Sequence, residues 1–272
     1  MPGAGKCHEE ARASGHGGTS RTGLLGHAAK ITLMGLRLTT NLTEDQRHDE
    51  WARIIRRIAE EHVGQAWSNY MFRLLRAVFN VNRRLAQSGG FLGNWIVGNY
   101  VDSTLMHLRR ELDRQDGTEC LLQLLLDMLD NPTVVTRTRF VASWPANTRD
   151  WLADETFSKY AGSSSAGHID PAMIRADLTR LEEAEALRVH AERTRAHRTP
   201  EQGIDDRGMT FEELHRALVT VREVVGKYRE VLGVGTMTQW QPVPQFNPIE
   251  PFLHPWVEDP DQVKRLSEED RP

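Results

Sequence analysis

The spacing of the apolar residues constrains this chain more than any other feature. Trp51, Ile54, Ile55, Ile58, His62 and Val63 recur three and four positions apart, which lays them along one face of an α-helix. The pattern resumes with Trp67, Tyr70, Met71, Leu74, Leu75, Val78, Phe79 and Leu85 and stops at the paired glycines Gly89 and Gly90, which a helix interior tolerates poorly. Thr43 followed three positions later by Gln46 is a capping box, and Glu44 and Asp45 put negative charge at the positive end of the dipole. One long helix, or two consecutive ones, is expected here.

The same period governs most of the remaining chain. After the glycines, Leu105, Leu108 and Leu112 form a stripe with a charged opposite side, ending near Asp116-Gly117. Thr118 then reads as the cap of a short, very apolar helix that Asn131-Pro132 stops. Asp170 with Pro171 opens a helix whose pattern continues to Thr199-Pro200. Thr210 with Glu213 is a second capping box, ahead of a stripe of Leu214, Leu218, Val221, Val225, Tyr228 and Leu232 that ends at Gly233. The β-branched run from Val134 to Val141 has no second alternating run to pair with, so loop and short helix are expected there.

The predicted fold class is therefore all-α, an antiparallel bundle of five or six helices spanning residues 37–235, because amphipathic helices bury their stripes only against one another. Residues 1–36 are rich in Gly, Ser, Ala and His without periodicity and are expected to be disordered. They lack the apolar run of a secretory signal, and GAGKC lacks the full frame of a phosphate loop. Met34 heads a start-like stretch, MGLRLTTNLTEDQ. Residues 236–272 hold prolines too closely spaced for a helix and are expected to form an extended tail. Its aromatics Trp240, Phe246, Phe252 and Trp256 are expected to pack across the bundle.

Composition narrows the partners. No stretch approaches the ~18 consecutive apolar residues of a membrane span, so no membrane partner is expected. A net charge of −4 predicts no polyanion partner by itself, and a basic site must be local. Cys7 and Cys120 are too few for a disulfide framework, which favours the reducing cytoplasm. Asp102, Glu111 and Asp113 sit among Arg109, Arg110 and Arg114 and read as a paired, solvated face.

The densest chemistry lies in LRVHAERTRAHRTP, residues 187–200. His190, Arg193 and His197 share one helix face, which places two imidazoles and a guanidinium on neighbouring turns. Such a cluster also satisfies a helix C-terminus electrostatically, with Glu182, Glu183 and Glu185 as nearby counter-charges. His190 and His197 are roughly 10 Å apart along the axis at 1.5 Å per residue, too far for one ion without a third ligand. Neither a metal nor a cofactor is expected.

The segment AERTRAHR (191–198), followed by a polar loop and a helix opening TFEEL (210–214), resembles the distal half of HEPN-type helical domains, in particular that of the U-type abortive-infection proteins of bacteria. The helix YVDSTLMHLRREL (100–112) is similar to the first half, so the likeness covers about residues 40–235. This resemblance implies a four- to five-helix bundle that dimerises, RNA as partner, and metal-independent endoribonuclease activity in phage defence or a toxin–antitoxin system. The family histidine falls on His197, while the family arginine is separated from it by four to six residues, positions that hold Glu192, Ala191 and His190 in this chain; Arg193, with three residues between, is one turn away instead. The implied roles are acid/base for His197, phosphate clamp for Arg193 and auxiliary for His190. The alternative is a non-catalytic helical module with a decayed site that binds RNA, an antitoxin or another protein.

Overall fold

A computed structural model of the chain describes residues 42–82, 90–146, 149–163, 165–191, 210–236, 240, 243–248, 250–253 and 261. All belong to one compact unit, Gly35–Pro272. The segment 1–36 therefore lies outside the described residues, as does much of the tail.

The fold is all-α. Seven α-helices are described: α1 (Glu44–Val81), α2 (Phe91–Glu111), α3 (Leu121–Asp130), α4 (Arg137–Ser143), α5 (Asp154–Ala161), α6 (Pro171–Ala191) and α7 (Phe211–Val231). Among the described residues β-pairing is limited to one isolated bridge between Thr136 and His168. The count exceeds the expected five or six because the irregular middle of the chain supplies two short helices, α4 and α5.

The 38 residues of α1 are one continuous helix, and its capping box forms: the Thr43 side chain accepts from the Gln46 backbone while the Gln46 side chain accepts from Thr43. Thr210 and Glu213 do the same for α7. Asp170 accepts from the Ala172 backbone at the start of α6, directly before Pro171. The expected cap of α3 needs correction. Cys120, not Thr118, occupies its N-cap position, because the Thr118 hydroxyl is turned back to donate to the Gln115 carbonyl.

Antiparallel pairing builds the bundle around α1. Against α2, the Gln65 amide donates to Thr104 at 2.7 Å, and Tyr100 donates to Asn69 at 3.0 Å while its ring stacks on Phe72. Against α7, Phe72 meets Phe211 at the far end of the pair. Helix α6 runs antiparallel to α7, joined by Asp177 to Lys227 and by Arg180 to Glu223. The buried stripe of α1 (Trp51, Ile54, Ile55, Ile58) meets the stripes of α2, α3, α6 and α7 in a single core. Asp127 of α3 anchors the start of α1, accepting two bonds from Arg47 at 2.7 and 2.9 Å and one from Trp51 at 2.8 Å. No described helix is long and apolar enough to cross a membrane.

The tail aromatics diverge from expectation. Trp240 packs on the core, but Phe246 is 67% exposed, and the side chains of Phe252 and Trp256 lie outside the described residues. Residues Glu250–Leu253 form a single 3₁₀ turn in a stretch expected to be extended throughout.

Candidate functional site: a cationic cleft beside a buried histidine pair

Two neighbouring features carry polar chemistry, both along the middle and second half of α1. The first is a cleft of about 650 Å³ lined by Ala66, Asn69, Tyr70, Arg73 and Leu74 of α1 and by His215 and Arg222 of α7. It opens where the two helices face each other, and its polar lining combines two guanidiniums, an imidazole, an amide and a phenol.

Arg222 sets the electrostatics. Its Nε and one terminal nitrogen are buried with no hydrogen-bond partner among the described residues. Burial lowers its pKa, and Tyr100 pulls weakly the other way. A guanidinium taken from water without a carboxylate is costly: each unpaired buried donor forfeits about 1–3 kcal/mol. A desolvated guanidinium without a carboxylate is stabilised by an anionic partner.

The second feature lies one to two turns back along α1. His62 faces His107 of α2, with their rings 4.3 Å apart and nearly perpendicular, and Nε2 of His107 lies 3.1 Å from Nδ1 of His62. Arg110 reaches Nδ1 of His107 at 3.2 Å and pairs with Glu61 at 2.7 Å. A consistent set of protons runs from Arg110 to Nδ1 of His107, then from Nε2–H of His107 to Nδ1 of His62, which leaves Nε2 of His62 carrying hydrogen. That nitrogen is buried and unpartnered among the described residues, as is Oε2 of Glu111 one turn along α2. Trp240 closes over His62 with its ring 5.9 Å away.

Burial dominates the titration of all three groups. It pushes His107 down to about 4, with Arg110 and Arg222 adding to the effect. It also lowers His62 well below the ordinary histidine range, seconded by His107. It pushes Glu111 up to about 7, reinforced by Glu61 and opposed by Arg110 and a backbone hydrogen bond from Leu121. Both imidazoles are neutral at neutral pH, and the carboxyl is poised between its two forms. The expectation that Glu111 belongs to a solvated face is thus corrected. It is 1% exposed, and Arg110 pairs with Glu61 instead.

The residues singled out in the sequence reach this region only in part. His190 lies on the last turn of α6, with its side chain outside the described residues; Arg193 and His197 lie outside them altogether. The antiparallel register fixed by Asp177–Lys227 and Arg180–Glu223 directs that last turn toward the first turns of α7, which carry His215. Arg73, His215 and Arg222 were missed because they converge from segments some 140 positions apart, and each alone looks like an ordinary polar residue. His107 and Glu111 left a fainter trace. His107 comes three positions after Thr104, Glu111 three after Leu108, and the two lie four apart on the buried side of α2, where a solvated charge does not belong. No family model, curated protein or solved structure matches this chain.

Proposed function

We propose that this chain is an RNA-acting helical protein of the HEPN type, with the cleft between α1 and α7 as its phosphate-binding surface. One observation carries the reading: Arg222 presents a partly buried, unpartnered guanidinium at a cleft that also holds Arg73 and His215. Planar, permanently charged donors suit phosphate oxygens, which accept two parallel bonds. Tyr70 on the same wall offers a ring on which an unpaired base can stack. The net charge of −4 argues against a general polyanion binder and for a local site.

Within this reading the chemistry belongs to His197, with Arg193 as clamp and His190 in support, on the segment that joins α6 to α7. His197 takes or gives the proton of the attacking 2′-hydroxyl, and the guanidiniums hold the phosphate as charge builds on it. A second copy across a two-fold axis supplies the other half of the pocket, and phage defence or a toxin–antitoxin pair in the cytoplasm is the setting. The second reading, a binding module without cleavage, is favoured by the spacing of Arg193, which has three residues between it and His197 instead of four to six.

The test is incubation of the purified protein with total RNA in EDTA. Cleavage by wild type, lost by about 10²–10⁴-fold in His197→Ala and mostly lost in Arg193→Lys, supports the nuclease. RNA that is bound and left intact selects the module, and RNA that is neither bound nor cut overturns both.

A further inference from the structure

The buried His62–His107–Glu111 cluster has no part in the proposed reading, yet it is an expensive arrangement. Its three side chains are 0%, 5% and 1% exposed, and one ligand-type atom from each falls within 4.8 Å of the other two. Two of its polar atoms, Nε2 of His62 and Oε2 of Glu111, are buried without a partner among the described residues. Packing alone would favour apolar residues at these positions, since they sit between Ile58, Leu108 and Leu112 in the core.

We propose that His62, His107 and Glu111 form a site for one divalent transition-metal ion of the zinc class, clamping α1 to α2. Two imidazole nitrogens bound to one tetrahedral ion at 2.0–2.1 Å stand roughly 3.3 Å apart. The observed separation between Nδ1 of His62 and Nε2 of His107 is 3.1 Å, so an ion replaces the bridging proton with a shift of a few tenths of an ångström. The Glu111 carboxylate supplies the third ligand and one negative charge, and a solvent molecule or a second carboxylate oxygen the fourth. Two nitrogens and one oxygen suit zinc, cobalt or iron and not calcium or magnesium, which take oxygen ligands.

The charges around the site define its second layer. Arg110 touches His107 and opposes a cation, as does Arg222 from α7; Glu61 and Glu111 favour one. When His107 binds through Nε2, its proton moves to Nδ1, which then donates instead of accepting. Arg110 is 58% exposed and free to swing into solvent, and Glu61, already 2.7 Å from its guanidinium, is the acceptor at hand for that proton. A carboxylate–histidine–metal triad results. Removing Arg110 should therefore tighten the ion, whereas removing a merely structural partner would loosen it.

The experiment is a titration of untagged, chelator-stripped protein, without RNA, with zinc by calorimetry and with cobalt by visible absorption. Wild type should take up one equivalent and show the intense d–d bands of tetrahedral cobalt, and zinc should raise the melting temperature. Glu111→Gln keeps the shape of the core and should weaken binding by about 100-fold or more; His62→Ala should abolish it; Arg110→Gln should tighten it several-fold. These variants also separate the site from His8, His16 and His27, which lie elsewhere in the sequence. Wild type that binds no stoichiometric ion overturns the proposal, and so does binding that Glu111→Gln and His62→Ala leave unchanged. Neither result bears on RNA.

Discussion

Replacing Arg222 by Met should make the protein more stable and less able to bind RNA. In the wild-type fold, two nitrogens of the guanidinium are buried without partners among the described residues, and each such donor costs about 1–3 kcal/mol. The side chain is only partly buried, so we take the low end for the pair, a gain of about 1–2 kcal/mol on removal. Met keeps the apolar stem that lies along α7 and discards the charge. For a domain of this size each kcal/mol moves the midpoint by about 2–4 °C, so the variant should melt roughly 2–8 °C higher in phosphate-free buffer. RNA affinity should fall at the same time by about 10–100-fold, the worth of one charge-assisted bond of about 1.5–3 kcal/mol. Thermal unfolding followed by circular dichroism, paired with RNA binding on the same samples, reads both effects. Opposite signs cannot come from misfolding. A variant that melts several degrees lower would mean that Arg222 already has its partner in the free protein, and the argument for a waiting anion site would fail.

Other perturbations have equally definite outcomes. Asp127→Ala strips the partner from Arg47 and from the Trp51 indole; breaking such a buried pair costs about 3–5 kcal/mol, and denaturant titration should show part of it recovered when Arg47→Met is added. Gly233→Ala should cost more than about 1 kcal/mol, because the residue has φ +68° and an added Cβ would lie 2.7 Å from that of Ser143; Ser143→Gly should relieve the steric part in the double variant. Deleting residues 1–36 should leave the melting temperature within a few degrees, since they carry no apolar stripe to pack.

What the sequence disclosed and what it hid divide along one physical line. The helices were legible because their signals are local: a capping box spans four residues, and the stripe of Trp51, Ile54, Ile55 and Ile58 repeats within two turns. Thr118 misled because its hydroxyl donates back to the Gln115 carbonyl, and no side chain caps α3. Glu111 misled for a related reason. The group that pairs with Arg110 is Glu61, roughly fifty positions back on another helix, while Glu111 is buried in the core. The cleft was invisible for the same cause, since Arg73 and Arg222 acquire meaning only when α1 and α7 lie antiparallel. The cluster at 190–197 stood out in the sequence through local composition, and its arginine and second histidine lie outside the described residues.

The most direct measurement of the central claim is the salt dependence of binding to a fluorescent single-stranded RNA, read by anisotropy for wild type and Arg222→Met. Removing one phosphate-binding charge should flatten the slope of log K against log salt by about 1. The account predicts saturable binding by wild type, together with a weaker and flatter line for Arg222→Met at every salt concentration. Identical lines for the two proteins, or no binding by wild type at low salt, would contradict it.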